Sequence, residues 1–177
     1  DVTHTSSDAV FLRSSEATTT NVYITNTNAT ANNTANLYFA PANNVAGSYI
    51  RSTAIDDFSV AANRTSDLRF AVRKDGTFNE AVIIDSSGNI GLGTSPNGRL
   101  QFDNGADTRK IVLWEGADND YQFYGFGVES STLVYSTYSD GDDHVFFVGV
   151  DATSRSELMR IKSDGDVNVA NDIFSEG

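Results

Sequence analysis

The stretch that decides the fold is IIDSSGNIGLG, residues 83–93. Two isoleucines, which favour strands, run into a polar turn, and a second alternating apolar run ends in glycines. The glycines raise three alternatives: a phosphate-binding loop, a calcium loop or a hairpin turn. We predict a hairpin because Gly88 lies between two apolar runs and can take the positive φ that a tight turn needs.

The other two alternatives fail on spacing. The stretch contains no Gly-x-Gly-x-x-Gly, and no Gly-Lys-Ser/Thr follows it, so it lacks the pattern of a nucleotide-binding loop. An EF-hand loop needs a carboxylate ligand at its twelfth position and helices on both sides. DSSGN supplies neither, and the hairpin remains.

A second copy of the stretch supports the hairpin. FAVRKDGTFNEAVIIDSSGNIGLG (70–93) aligns without a gap with FVGVDATSRSELMRIKSDGDVNVA (147–170), at a constant offset of 161 − 84 = 77 residues. Self-similarity at a fixed spacing indicates two copies of one structural module. We place the boundary at GTSPNG (93–98), which gives modules 1–97 and 98–177.

Short alternating runs separated by turn residues recur along the rest of the chain. They are NVYIT (21–25), NLYFA (36–40), SYIRS (48–52), DFSVA (57–61) and DLRFAV (67–72). Such runs at about 10-residue spacing predict an all-β fold of short antiparallel strands. We expect two repeated sandwich-like modules.

Composition excludes several partners and suggests another. The 12 basic and 24 acidic residues give a net charge of −12, which disfavours nucleic acid and anionic lipid. No apolar run approaches the roughly 20 residues of a membrane helix. With no cysteine for a disulfide, a thin core and exposed strand edges need another stabilising contact. We therefore expect copies of the chain to associate, either intertwined or packed together.

The two copies also resemble a segment that closes β modules in bacteriophage tail fibres and tail spikes. Glu157, Met159, Arg160, Ile161 and Gly165 match one half of that segment, and GNIGLGTSP (88–96) matches the other half. The resemblance implies a homotrimeric fibre in the virion tail, outside the host cell, in contact with other tail fibre proteins. It also implies that VANDIFSEG (169–177) precedes a self-cleaving chaperone, so the chain would be a mature fibre tip cut from a longer protein.

Such fibre tips bind host receptors, and the aromatic region 112–147 is the candidate surface. Aromatic rings stack on the apolar faces of sugars while carboxylates accept hydrogen bonds from hydroxyl groups. The alternative is that both faces of this region are buried, one within the subunit and one between subunits. We predict that a saccharide or an outer-membrane protein is bound by Trp114, Tyr121, Tyr124, Tyr135, Tyr138, Asp118 and Asp120.

Other chemistries have weaker support in the sequence. Asp118, Asp120, Asp140 and Asp142 are a possible calcium set, and His144 is a possible metal ligand, but acidic loops and single histidines are more often solvated surface residues. His4 lies in the N-terminal lead. No nucleophile motif is present, and the sequence places no carboxylate pair across a cleft. We predict no catalytic residue, metal or cofactor, and keep a polysaccharide depolymerase and a structural spacer as alternatives.

Overall fold

The structure, a computed structural model, describes residues 21–149 and 155–170. These residues form twelve strands and a single 3-10 helix, Ala61–Asn63. The predicted all-β class is confirmed. Within the described ranges, no helix has the length and apolar character needed to cross a bilayer. His4 and the end of the chain after Ala170 lie outside the described residues.

The strands form three sheets in two units, which divide after Asp103. The first unit contains one six-stranded sheet in the order β1 to β6, and the second contains two three-stranded sheets, β7-β8-β9 and β10-β11-β12. The strands are β1 (Thr34–Phe39), β2 (Ser48–Ala54), β3 (Ser66–Lys74), β4 (Thr77–Ile84), β5 (Ile90–Leu92), β6 (Leu100–Phe102), β7 (Asp107–Glu115), β8 (Phe123–Glu129), β9 (Thr132–Ser136), β10 (His144–Gly149), β11 (Arg155–Ile161) and β12 (Val167–Val169).

The first sheet ends in a change of strand direction. Strands β1 to β5 form an antiparallel meander, whereas β6 pairs parallel to β5. The chain must return along the sheet between them, and it does so over Gly91, where an added Cβ would overlap the carbonyl oxygen of Thr94 and lie 3.0 Å from Cδ of Pro96. GTSPNG is therefore the return segment to β6, which carries the first sheet past residue 97.

The two faces of the first sheet differ in composition. Residues paired across strands share a face, and one such row is apolar in every strand: Leu37, Ile50, Phe70, Val82, Leu92 and Phe102. We call the face that bears this row and the neighbouring row of Leu68, Ile84, Ile90 and Leu100 the apolar face. The opposite face carries the ion pairs of Arg69 with Asp67 and Glu80.

Both copies of the sequence repeat form the same three-stranded meander, β3-β4-β5 and β10-β11-β12. In the first turn, the Asp85 and Gly88 amides donate to the Asn89 and Asp85 carbonyls, at 3.0 and 2.9 Å. The same bonds recur 77 residues later, from Lys162 to Asp166 at 2.8 Å and from Gly165 to Lys162 at 3.0 Å. Gly88 and Gly165 have φ of 77° and 93°. The predicted hairpin is confirmed in both copies.

The first strands of the two meanders differ by one residue from the ungapped alignment. In the first meander, Phe70 pairs with Val82. The sequence alignment matches these residues with Phe147 and Met159, but in the structure Met159 pairs with Phe146. The connection into the second strand is thus one residue longer in the second copy. Phe147 pairs with Glu157, as Ala71 pairs with Glu80, and so lies on the other face.

Two of the expected strands are absent. Residues 21–25 form no ladder, and their side chains are exposed. Residues 57–61 form a turn that leads into the 3-10 helix, because the Asp57 carboxylate accepts a hydrogen bond from the Ser59 amide at 2.7 Å. This local bond competes with strand pairing, so alternation alone was misleading at these sites.

Candidate functional site

The sheet β7-β8-β9 has one buried face, which the start of β7 covers, and one face that carries aromatic side chains. On β8, Phe123 is 1% exposed, and Gly125 and Gly127 follow it on the same face. A Cβ at Gly127 would overlap the carbonyl oxygen of Thr108, so the irregular start of β7 lies directly against these glycines. The larger side chains of β8 therefore project from the other face.

Three rings on that other face form an aromatic cluster, Trp114, Tyr124 and Tyr138. Trp114 and Tyr124 are paired across β7 and β8, with ring centroids 5.6 Å apart. Tyr138, which follows β9, lies 5.0 Å from Trp114 and stacks on Tyr124 at 6.3 Å. These separations are typical of stabilising aromatic pairs. Trp114 remains half exposed, so the cluster presents ring surface to solvent.

Polar contacts hold the cluster in place. The Tyr124 hydroxyl donates to Oδ2 of Asp142 at 2.8 Å, and the Ser139 amide donates to the same oxygen at 2.9 Å. The bond to Tyr124 lowers the pKa of Asp142 and raises that of the Tyr124 hydroxyl. A Cβ at Gly116 would lie 2.6 Å from the Tyr138 ring, so the ring rests on this glycine. Asp142 is thus a charged acceptor beside the rings.

Tyr135 extends the aromatic face by one row. It pairs with Phe126 across β8 and β9, and the two rings meet edge to face at 5.3 Å. Phe126 belongs to the same face as Tyr124, two residues along the strand. Strand alternation explains why Phe126 shares this face with Tyr124, whereas the contribution of Tyr135 depends on the register of β9.

Asp118, Asp120 and Tyr121 lie in the loop between β7 and β8, away from the ring contacts. Nη1 of Arg109 is 3.3 Å from Asp118 and 3.8 Å from Asp120, and Nη2 contacts Glu115. Tyr121 is 81% exposed. Sequence reasoning missed Arg109, because nothing in its local pattern indicates a pairing with a loop that follows the strand.

The acidic residues do not converge. Among the residues that the structure describes, no group of three or more His, Cys, Asp or Glu side chains is placed to hold a metal ion. Asp142 bonds to Tyr124, whereas Asp118 and Asp120 bond to Arg109. His144 starts β10 in a row with Ile161 and Val167. The calcium set considered from the sequence is therefore not assembled.

Comparisons with known proteins give a likeness in structure but none in sequence. The sequence matches no protein-family model and no curated protein. Among solved structures, the chain is similar to the carboxy-terminal domain of the bacteriophage T5 L-shaped tail fibre with its intramolecular chaperone domain, at a TM-score of 0.35 and 11% identity. The match covers 84% of this chain and 57% of that one. A TM-score this low does not establish a common fold.

Proposed function

We propose that this chain is a non-catalytic receptor-binding segment of a phage tail fibre, assembled as a homotrimer in the extracellular part of the virion. Its ligand would be a host cell-surface receptor, either a saccharide or an outer-membrane protein, and we favour a saccharide. The observation that carries the proposal is the exposed aromatic cluster with the Asp142 carboxylate beside it. Other tail fibre proteins would join the chain to the rest of the tail.

The geometry of the cluster suits a sugar better than an ion or a phosphate. A ring face offers dispersion contact to the C–H groups of a pyranose, and a neighbouring carboxylate orients it through its hydroxyl groups. The hydrogen bonds from Tyr124 and Ser139 both end on Oδ2 of Asp142, so we expect Oδ1 to accept a hydrogen bond from a ligand. The net charge of −12 disfavours acidic glycans. We therefore expect a neutral saccharide.

Removing two rings tests the site. Trp114→Ala combined with Tyr124→Ala should reduce adsorption of the purified protein to host cells at least about tenfold, because two ring contacts are lost. A related contact, the stacking of a nucleobase on an aromatic side chain, contributes about 1–3 kcal/mol. Leu113→Ala is the matched control, since Leu113 lies beside Trp114 on β7, is exposed, and is outside the cluster.

Adsorption and mass are measured on the same samples. Unchanged adsorption by the double variant, with its oligomeric mass retained, would show that the cluster is not the receptor site. Release of new reducing ends from host lipopolysaccharide or capsule by the wild-type protein would show instead that it is a depolymerase. Failure of the wild-type protein to bind any host cell would favour the spacer.

A further inference from the structure

The apolar face of the first sheet lacks a cover within the described chain. Phe70, Leu68 and Ile90, in the middle of this face, are exposed, and Val72 at its end is 52% exposed. Six strands at about 4.8 Å spacing give each of the two rows a length of roughly 24 Å. An exposed apolar strip that is continuous across six strands is typical of an interaction site.

The opposite face carries charged contacts within the chain. Arg69 contacts Asp67 at 2.6 Å and Glu80 at 2.7 Å, and the Tyr49 hydroxyl donates to Glu80 at 3.0 Å. These groups surround buried Tyr49 and Ala71. The face that carries these ion pairs is therefore the more buried one, although Oδ1 of Asp67 and Oγ1 of Thr53 have no hydrogen-bond partner there among the described residues, and the apolar face is the one left open. In a sheet surrounded only by water, the apolar face would be buried and the charged face exposed, which is the opposite arrangement.

The same arrangement recurs in the second unit. Phe146, Met159 and Val169 form a row across β10, β11 and β12 that corresponds to Phe70, Val82 and Leu92. His144, Ile161 and Val167 form the next row, at the positions that Leu68, Ile84 and Ile90 hold in the first sheet. Phe146, Val167 and Val169 are exposed. The repeat has thus kept an open apolar face twice in one chain.

We infer that these two faces are where copies of this chain pack on one another. Two copies that each carry a charge of −12 repel one another, so close approach is favoured along surfaces without charge. The first sheet's two rows and the two rows of the second meander contain no Asp, Glu, Lys or Arg, and His144 is their one titratable residue. A second copy offers a matching face for each of the two, which a single unrelated partner need not do. The inference rests on the proposed homotrimer and names its contact surface.

Three valines of equal exposure provide the test. Val72, on the apolar face, Val167, on β12, and Val60, outside any sheet, are each 52% exposed in the single chain. Substitution by lysine places an ammonium group at each site. We expect Val72→Lys and Val167→Lys to raise the dissociation constant of the oligomer at least about 100-fold, because an unpaired charge would be buried. Val60→Lys should match the wild type.

Analytical ultracentrifugation of the full chain gives the readout. The wild type should sediment near three times the 19.1 kDa of one chain, while circular dichroism confirms that the variants keep their strands. Should Val72→Lys not fold, Val72→Thr, which preserves the branched shape, should weaken the oligomer less but in the same direction. A trimer equally stable in all three lysine variants would overturn the inference while leaving the trimer itself intact. A monomeric wild type would overturn both.

Discussion

At the scale of single residues, the glycines of the opening stretch have different physical roles. Gly88 and Gly93 have positive φ, 77° and 72°, which a residue with a side chain adopts only at a cost. Gly91 has no such conformation but leaves room for the return segment. Sequence reasoning identified the role of Gly88 from the turn pattern. That of Gly91 depended on the parallel strand β6, which no local pattern predicts.

Gly91→Ala is expected to destabilise the first unit. The new methyl group would overlap the Thr94 carbonyl oxygen and press on Pro96, and overpacking of this kind costs about 1–3 kcal/mol. Gly98→Ala is the control, because an added Cβ there meets nothing within 4 Å. Urea unfolding monitored by circular dichroism measures both. Equal midpoints for the two variants would mean that the return segment does not lie over Gly91.

At the scale of elements, the two meanders have matching turns, but the arginine of their ion pairs lies at a different position in each. In the first, Arg69 on β3 contacts Asp67 and Glu80. In the second, Arg160 on β11 contacts Glu157 and Asp143, both at 2.5 Å. Alternation and turn residues predicted the strands and the hairpins, because those depend on neighbours in sequence. The Arg69–Glu80 and Arg160–Asp143 contacts join segments that are distant in sequence, so local patterns do not predict them.

The second meander should lose stability in acid. Hydrogen bonds from Arg160 lower the pKa of both Asp143 and Glu157. Their folded pKa values lie below the unfolded ones, so their stabilising effect is complete above about pH 4–5 and is lost as the pH falls through the folded values. We expect the melting temperature to fall below about pH 4, and to fall less in Glu157→Gln.

Asp140→Asn is the control for this effect, since Asp140 is an exposed carboxylate in the loop before β10. Differential scanning calorimetry between pH 3 and pH 7 compares the three proteins. If Glu157→Gln showed the same acid dependence as Asp140→Asn, the Arg160 contacts would not contribute to stability.

At the scale of the whole molecule, the residues predicted to bind a receptor fall into two groups in the structure. Of the predicted binding residues, the structure brings together Trp114, Tyr124 and Tyr138, and it sets Tyr135 beside them on the same face. Tyr121, Asp118 and Asp120 lie in a separate loop. The density of aromatic residues in the sequence indicated the aromatic face of β7-β8-β9, because strands place alternate residues on one face. Which polar groups lie beside the rings depends on loop conformation, and Asp142 lies there because of a turn after β9.

Added salt should strengthen the association of chains in the proposed homotrimer. Chains of charge −12 repel one another, and added salt screens that repulsion while leaving apolar contacts in place. We expect the dissociation constant to fall several-fold between about 50 mM and 500 mM sodium chloride, as measured by sedimentation. A weaker oligomer at high salt would indicate that ion pairs between chains, not the apolar face, hold it together.

The matched turns at Asp85–Asn89 and Lys162–Asp166 also bear on inheritance. Their backbone bonds coincide one for one, so a genetic exchange that breaks inside one turn and rejoins inside the other would still encode an intact hairpin. Everything between them, including the aromatic sheet, would be gained, lost or replaced in a single event. The hairpin is thus a suitable recombination point, at which descendants of this chain can acquire a different surface while the flanking fold is kept.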